Sequence, residues 1–264
     1  ILNSDEFNNV NKLSVRKKLS LTEVIQELVQ QKKLYFIEVP KDSWLDIDTS
    51  QDLFRAKNYL LNNLCSKVND GKLLKYVNRP ISKWITSKLV NYPLTPNQIS
   101  TVAFFIAVVS GLVISMEGYF FLLLGALLAQ SSSILDGCDG EIARLKLIKS
   151  EFGAWYDRIL DRYSDLFILT GLTFHIYFIH ETLTVFLIGF VAVGGKIILS
   201  YTAYVYDTIV STHNNFRIGR DLTIFIILLG ALFNIPYITL VALALMVNVE
   251  VCKRLWILKD KLDY

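Results

Sequence analysis

The stretch that decides the fold is "EGYFFLLLGALLAQSSSILDGCDG", residues 117–140, in which a long apolar run leads directly into charged residues. The run is close to the ~20 residues that a helix needs to cross a bilayer. Asp136 and Asp139 follow at once, although a charged side chain beside lipid is costly. The stretch therefore predicts a transmembrane helix that delivers carboxylates to one face of the membrane.

The composition is typical of a membrane protein. Of the 264 residues, 53% are hydrophobic, and the mean hydropathy is +0.41, which is too apolar for an ordinary soluble domain. The net charge of +3 gives no strong attraction to nucleic acid, so we expect no nucleic-acid partner. The three cysteines have the spacing of neither a metal site nor a disulfide framework. Because the chain begins with Ile1 rather than Met, we treat it as a fragment, and we see no signal peptide at its start.

Beyond residue 95 the chain is a series of apolar runs, which predicts a mainly α fold with a bundle of six transmembrane helices over residues 96–264. Thr95 can cap the first helix, and Pro96 suits its first position. The predicted spans are about 99–116, 117–136, 153–179, 183–204, 220–233 and 236–255.

The orientation follows from the distribution of Lys and Arg. These residues occur in the loop after the second span, in the loop before the fifth span and in the C-terminal tail, whereas the opposite loops contain none. Positive charge is retained on the cytoplasmic side of a membrane. We therefore expect a multi-pass protein of the cell membrane whose termini and aspartates face the cytoplasm.

Residues 71–95 are predicted to form a linker with a juxtamembrane helix. "VNRPISKWITSKLV", residues 77–90, alternates four large apolar residues with two lysines, a pattern that favours an amphipathic helix in the headgroup plane. The apolar residues are Ile81, Trp84, Ile85 and Leu89, and the lysines are Lys83 and Lys88. An ordinary soluble linker helix is the alternative.

Residues 1–70 are predicted to form a small α/β unit. Ser20 and Glu23 form a capping-box pattern ahead of a helix. "KLYFIEV", residues 33–39, is typical of a strand, and "SWLDIDTSQDLFRAKNYLL", residues 43–61, predicts a short strand followed by a helix capped at Thr49 or Ser50.

The aspartates are spaced so that they share helix faces. Asp136 and Asp139 are one turn apart near the end of the second span, and Asp157 and Asp161 are four residues apart on the third helix, with Gly153 on the same stripe. Two antiparallel neighbours would present all four carboxylates to one cleft at the cytoplasmic surface. Each pair of carboxylates at ~4 Å repels by about 4 kcal/mol at an effective dielectric constant of ~20.

Metal ions offer the compensating charge. The nearby cations that we expect are Arg144, Arg158 and Arg162, and two of these point away from the aspartate stripe. Two divalent cations balance four carboxylates, and oxygen ligands suit Mg²⁺. Paired metals clamp the attacking and leaving oxygens of a displacement, which predicts phosphoryl transfer. Salt-bridged helix ends are the alternative for each aspartate alone, but the joint spacing argues against them.

"DGCDGEIARLKLIKSEFGAWYDRILD", residues 136–161, resembles the signature of the CDP-alcohol phosphotransferase family, D-x2-D-G-x2-A-R-x8-G-x3-D-x3-D. "TPN" at residues 95–97 is similar to the family's opening of the first span, and the likeness covers roughly residues 77–255. The matching signature residues are Asp136, Asp139, Gly140, Ala143, Arg144, Gly153, Asp157 and Asp161.

This resemblance implies roles for the matching residues. The four aspartates would hold two Mg²⁺ ions, with Mn²⁺ as the alternative metal, and Asp161 would also be the general base. The resemblance also implies a homodimer and a CDP-alcohol donor. The residues implied in binding CDP are Asp136, Asp139, Gly140, Ala143, Arg144, Gly153 and Asn97.

The acceptor is expected to carry a phosphate. Lys196 lies well inside the fourth span, where an ionisable residue is a functional candidate, and Arg217 and Arg220 lie at the start of the fifth. These three cations could bind a phosphorylated polyol. The alternatives are a pairing of Lys196 with Asp165 or Asp207, and membrane anchoring for the two arginines.

Residues 20–61 resemble the C-terminal end of a sugar-phosphate nucleotidyltransferase, including its "W-x-D-x-D-T-x-x-D" stretch. The Gly-rich start of such enzymes is absent from this chain, so we interpret Asp46 and Asp48 as a structural remnant. A cytidylyltransferase joined to a CDP-alcohol phosphotransferase resembles the bifunctional enzymes of di-myo-inositol phosphate phosphate synthesis. This resemblance implies CDP-inositol as the donor and inositol 1-phosphate as the acceptor, with release of CMP.

Two alternatives remain open at this stage. A phospholipid head-group synthase, such as a phosphatidylinositol phosphate or phosphatidylglycerol phosphate synthase, would share the signature but use CDP-diacylglycerol. A divalent-cation transporter or sensor would also hold metal with aspartates. It would place ionisable residues along a transmembrane path rather than at one face, so the sequence disfavours it.

Overall fold

The structure is a computed structural model that describes residues 21–31, 46–64, 77–209 and 218–262. The chain divides into two compact units, residues 1–56 and residues 57–264. The described ranges contain helices and no strand. The helices are α1 (Leu21–Gln30), α2 (Ser50–Leu64), α3 (Arg79–Leu89), α4 (Pro96–Ile114), α5 (Tyr119–Leu145), α6 (Glu151–His180), α7 (Leu183–Ile209), α8 (Arg220–Leu232) and α9 (Pro236–Leu262).

The first unit contains α1 and the start of α2. Thr49 caps α2, since its hydroxyl accepts a hydrogen bond from the Asp52 N–H at 3.2 Å and its own N–H donates to the Asp52 carboxylate at 3.1 Å. The Thr49 hydroxyl also donates to that carboxylate at 2.6 Å and lowers the pKa of Asp52. The predicted cap is therefore confirmed. The predicted strand at 33–39 and the cap at Ser20 lie outside the described residues, and residues 46–48 are irregular.

Three helices in the described ranges are long and apolar enough to cross a membrane: α4, α5 and residues Leu183–Ala203 of α7. They coincide with three of the predicted spans. Helix α8 has 13 residues, about 20 Å at 1.5 Å per residue, which is shorter than a hydrocarbon core of ~30 Å. The count of six spans therefore stays a prediction.

The start of α4 is fixed as the sequence predicts. The Thr95 hydroxyl accepts a hydrogen bond from the Gln98 N–H at 3.4 Å, and the Gln98 side chain accepts one from the Thr95 N–H at 3.0 Å. Helix α5 continues to Leu145, past the predicted end of the membrane span near Asp136, as the shared helix face of Asp136 and Asp139 requires. Asp136 and Asp139 therefore lie inside a continuous helix, and only residues 146–150 connect it to α6.

Small residues and hydroxyls let α4 pack closely against its neighbours. A Cβ atom added at Gly111 on α4 would lie 2.5 Å from the Phe167 carbonyl oxygen of α6, and one added at Gly171 on α6 would collide with the Gly111 carbonyl. The hydroxyls of Ser110 and Ser132 donate across the α4–α5 contact to backbone carbonyls at 2.8 and 2.7 Å. The helices that carry the signature are thus held at backbone contact distance.

Helix α3 has an unusual distribution of side chains. It buries Arg79, Ser82 and Thr86 against the protein, whereas Ile81 is 44% exposed and Trp84 is 65% exposed. The predicted apolar stripe is divided, because Ile85 and Leu89 instead pack on the cluster of Ile99, Cys138 and Ile142. A helix with polar residues inside and apolar residues outside fits an apolar surrounding.

We predict that Gly171→Ala destabilises the protein by about 1–3 kcal/mol, because the added methyl group must push α6 away from α4. The midpoint of thermal unfolding of the detergent-purified protein should therefore fall. Gly194→Ala on α7 is the matched control, since its Cβ atom would meet nothing within 4 Å. Equal midpoints for the two variants would contradict the close crossing.

Candidate active site

Three signature aspartates meet between α5 and α6. One carboxylate oxygen from each of Asp136, Asp139 and Asp157 lies within 4.8 Å of the other two. The α5 pair is one helical turn apart, and the short connection brings Asp157 of α6 alongside. The structure thus assembles a cluster of oxygen ligands from the signature.

The hydrogen bonds of this cluster leave room for a cation. The Asp139 carboxylate accepts hydrogen bonds from the Ser100 hydroxyl of α4 and from the Gly140 N–H. The Asp157 Oδ1 atom is buried and has no hydrogen-bond partner in the described part of the chain. A buried acceptor without a donor is costly. Carboxylate oxygens are the ligands that Mg²⁺ and Mn²⁺ prefer, so these residues fit a divalent metal.

Asp161 has a different environment, dominated by Arg220 at the start of α8. The Arg220 guanidinium forms an ion pair with Asp161, lies 3.1 Å from Asp136 Oδ1, and approaches Asp165 Oδ1 at 3.9 Å. One cation therefore bridges aspartates of α5 and α6. It reaches Asp136, a member of the cluster, from the side of α8.

This arrangement corrects the expected charge partners. Arg162 lies 3.6 Å from Asp161 Oδ2, but Arg158 donates to the Ala154 carbonyl at 2.9 Å. The principal ion-pair partner in the described residues is Arg220, 59 positions after Asp161, which the sequence assigned only to acceptor binding. The expectation from sequence was wrong because it considered only neighbours along α5 and α6.

The residues implied in nucleotide binding lie at the end of α5 and at the starts of α4 and α6. The Arg144 guanidinium folds back over Gly140, where an added Cβ atom would lie 3.4 Å from Nη1. At Gly153 an added Cβ atom would lie 3.0 Å from Asn97 Oδ1, which places the start of α4 beside the start of α6. Ala143 is half-buried on the same helix as Gly140. A ligand held here would contact α4, α5 and α6.

Lys196 on α7 is deeply buried, at 6% exposure. Its ammonium donates to the Thr223 hydroxyl of α8 at 2.8 Å and lies 3.8 Å from Asp165 Oδ2. The alternative pairing with Asp165 is therefore present. Arg217 and the side chain of Asp207 lie outside the described residues.

Sequence reasoning missed Ser100 as a polar partner of the site, and it considered Asp165 only as a pairing partner of Lys196. Ser100 carries no signal beyond its place on α4, and only the fold brings it to Asp139. Asp165 did carry a signal, since it continues the four-residue stripe of Asp157 and Asp161. It joins Lys196 and Arg220 and so extends the charged site along α6.

Comparison with known proteins decides the family. The CDP-alcohol phosphatidyltransferase family model matches residues 93–252, which include the signature, Lys196 and Arg220. The chain belongs to the CDP-alcohol phosphatidyltransferase family. The resemblance based on the signature is thereby confirmed.

The similar curated proteins of this family are longer than the chain. This chain is 32% identical over 257 residues to the bifunctional IPC transferase and DIPP synthase of Aquifex aeolicus, and the match covers 94% of this chain and 57% of that protein. The protein of the same name from Archaeoglobus fulgidus is 33% identical over 242 residues, covering 89% and 46%. The chain thus spans about half the length of these relatives.

Other similar members of the family are shorter. The archaetidylinositol phosphate synthase of Pyrococcus horikoshii is 27% identical over 196 residues, covering 73% of this chain and 98% of that protein. The solved phosphatidylinositol phosphate synthase of Mycobacterium tuberculosis with CDP-DAG bound has a TM-score of 0.57 at 22% identity, covering 67% and 92%. The structure of that enzyme with manganese and citrate gives 0.56 at the same identity, over 66% and 87%. These likenesses show the shared fold.

We predict that Asp157→Asn weakens divalent-metal binding at least about tenfold, because even partners outside the ligand shell typically change metal affinity by ~10- to 100-fold. Electron paramagnetic resonance of Mn²⁺ titrated into the detergent-purified protein would measure the free ion. Asp46→Asn, at an exposed aspartate of the first unit, is the control and should bind Mn²⁺ like the parent. Unchanged binding by Asp157→Asn would rule out this ligand.

Proposed function

We propose that the protein transfers a phospho-alcohol from a CDP-alcohol to an acceptor hydroxyl, with release of CMP, in a divalent-metal-dependent reaction. One observation carries the proposal: carboxylate oxygens of Asp136, Asp139 and Asp157 converge, and the buried Asp157 Oδ1 has no hydrogen-bond donor within the described ranges. The chain's membership of the CDP-alcohol phosphatidyltransferase family supports the same chemistry.

In this proposal the metal ligands are the four signature aspartates, which would hold two Mg²⁺ or Mn²⁺ ions. When bound, the ions would neutralise the pyrophosphate of the donor and stabilise the charge that develops during the displacement. The helix backbone at Gly140 and Gly153 would lie against the CDP moiety, since neither residue has a side chain. Arg144 and Asn97 would bind it from the two sides.

Asp161 would serve as the general base. It would take the proton of the acceptor hydroxyl, because a neutral hydroxyl is a poor nucleophile. The acceptor oxygen would form a bond to the β-phosphorus while the bond from that phosphorus to the bridging oxygen breaks, so that CMP leaves. The ion pair with Arg220 supports this role, since it fixes the carboxylate beside the cluster.

We further propose CDP-inositol as the donor and inositol 1-phosphate as the acceptor, giving di-myo-inositol phosphate phosphate. The names of the longer relatives support this choice, because their similarity extends over 94% and 89% of the chain, well beyond residues 93–252. Lys196, Arg217 and Arg220 would bind the acceptor phosphate. Lys196 and Arg220 both approach Asp165, which places two of these cations on the same side of α6.

The proposed setting is a cell membrane crossed six times, with the site and both termini in the cytoplasm and with two copies forming a homodimer. The three apolar helices support membrane insertion. The exposed Ile81 and Trp84 of α3 support a position for this helix in the headgroup region. Residues 1–70 would be the remnant of a cytidylyltransferase domain.

A second candidate is a phospholipid head-group synthase that uses CDP-diacylglycerol. The archaetidylinositol phosphate synthase favours it, because the similarity covers 98% of that protein. A cation transporter has no comparable support, since the chain belongs to a family of transferases.

We expect the purified protein with Mg²⁺ and inositol 1-phosphate to release CMP from CDP-inositol and not from CDP-diacylglycerol. Quantification of CMP by chromatography and of the phosphodiester product by ³¹P NMR would distinguish the donors. Release from CDP-diacylglycerol alone would replace the inositol donor by the lipid one. An assay without acceptor controls for hydrolysis.

We predict that Asp161→Asn lowers kcat by about 10²- to 10⁴-fold, because the amide cannot accept the proton of the acceptor. Initial rates of CMP release give kcat, and Mn²⁺ titration of the same sample shows whether metal binding is retained. Asp48→Asn, at an exposed aspartate of the first unit, is the control for an Asp-to-Asn change. Turnover that survives in Asp161→Asn would contradict the base assignment.

A further inference from the structure

Glu141 is the most enclosed acidic residue near the site, and the proposed reaction does not use it. Its side chain has no solvent exposure. The Oε1 atom accepts hydrogen bonds from Arg79 Nη1 and Ser82 Oγ, both at 2.8 Å, and Oε2 accepts one from Thr86 Oγ1 at 2.7 Å. All three donors belong to α3, so one carboxylate attaches the juxtamembrane helix to α5.

Glu141 faces away from the cluster formed by Asp136, Asp139 and Asp157. Successive residues of an α-helix are ~100° apart, so Glu141 lies ~200° around α5 from Asp139. Gly137, one turn earlier on the same face, lies against α3, where an added Cβ atom would be 3.7 Å from Ser82 and 3.8 Å from Arg79. Helix α5 is therefore held from two sides, by Ser100 of α4 through Asp139 and by α3 through Glu141.

The start of α3 also holds α8. The Asn78 amide donates to Asp221 Oδ1 at 2.9 Å, and the same oxygen accepts a hydrogen bond from the Ser133 hydroxyl of α5 at 2.6 Å. The Gln130 side-chain amide of α5 donates to the side-chain Oδ1 atom of Asn78 at 2.8 Å. Asp221 directly follows Arg220. Residues 78 and 79 thus contact both the helix that carries Asp136 and the helix that carries Arg220.

Stability alone does not explain a buried ion pair at this place. Removing two charges from water costs several kcal/mol per ion, and apolar replacements are often as stable or more stable. A charged pair with several hydrogen bonds does, however, specify one register between two helices. In this molecule, α3 contacts α5 through Glu141 and α8 through Asp221, and these two helices carry Asp136 and Arg220.

We propose that Glu141 is a positioning residue: its ion pair with Arg79 fixes α3 beneath α5 and α8, and thereby aligns the aspartate cluster with Arg220. The inference rests on the proposed function. Without the pair, α3 would no longer hold α5 and α8 in one register, and Asp136 would lose its 3.1 Å contact with Arg220. The segment before the membrane domain would thus influence the site without contacting a substrate.

The test compares Glu141→Gln with the charge-free pair Arg79→Met/Glu141→Gln. Glu141→Gln removes the negative charge that pairs with the buried Arg79, so the thermal midpoint should fall and kcat should drop by about 10- to 100-fold, the usual effect of partners outside the ligand shell. The double variant should recover the midpoint but not kcat, because it removes the buried charge without restoring the link between α3 and α5. Glu117→Gln, an exposed glutamate between α4 and α5, is the control.

Recovery of kcat together with the midpoint would overturn the inference, because the pair would then act only on stability. An unchanged kcat in Glu141→Gln would overturn it as well. A parent protein that neither binds Mn²⁺ nor releases CMP would instead overturn the proposed function. The Mn²⁺ titration therefore separates the two failures.

Discussion

The rest of the structure depends on the compensation of negative charge at one place, where the C-terminal end of α5 meets the N-terminal end of α6. Four signature carboxylates lie in this region, and two ionised carboxylates ~4 Å apart repel by about 4 kcal/mol at an effective dielectric constant of ~20. Arg220 bridges Asp136 and Asp161, while Asp157 Oδ1 has no donor among the residues that the structure describes. The guanidinium offsets part of the repulsion, and the donor set is suited to divalent ions.

The remaining fold brings these helices close enough to form such a cluster. Glycines at the α4–α6 crossing allow backbone contact, and Ser110 and Ser132 satisfy carbonyls between α4 and α5. On the other side, Arg79 of α3 reaches Glu141 inside the protein. These polar residues of the interior therefore lie where helices contact one another, and they specify the register more strictly than apolar packing alone.

The sequence allowed the signature to be placed on two helices because its spacing is local. Residues three or four apart share a helix face, so the aspartate stripes of α5 and α6 follow from the amino-acid sequence. The partners of these stripes could not be found in this way, because Ser100, Arg220 and Arg79 lie 39, 59 and 62 positions from the carboxylates that they contact. The same spacing implies that the helix continues past the predicted end of the membrane span near Asp136, and α5 does continue to Leu145, because charge ends a membrane span but does not end a helix.

The position of Arg220 links metal and acceptor binding in the proposed reaction. The same guanidinium contacts Asp136 and Asp161 and is proposed to bind the acceptor phosphate. Cations that neutralise these aspartates would weaken their hold on Arg220 and make it available to a phosphate. Such coupling is reciprocal, so an acceptor bound to Arg220 would favour metal binding by the same factor. Asp165 would limit the movement of the arginine, since it approaches Arg220 at 3.9 Å and Lys196 at 3.8 Å and so keeps both cations near the site.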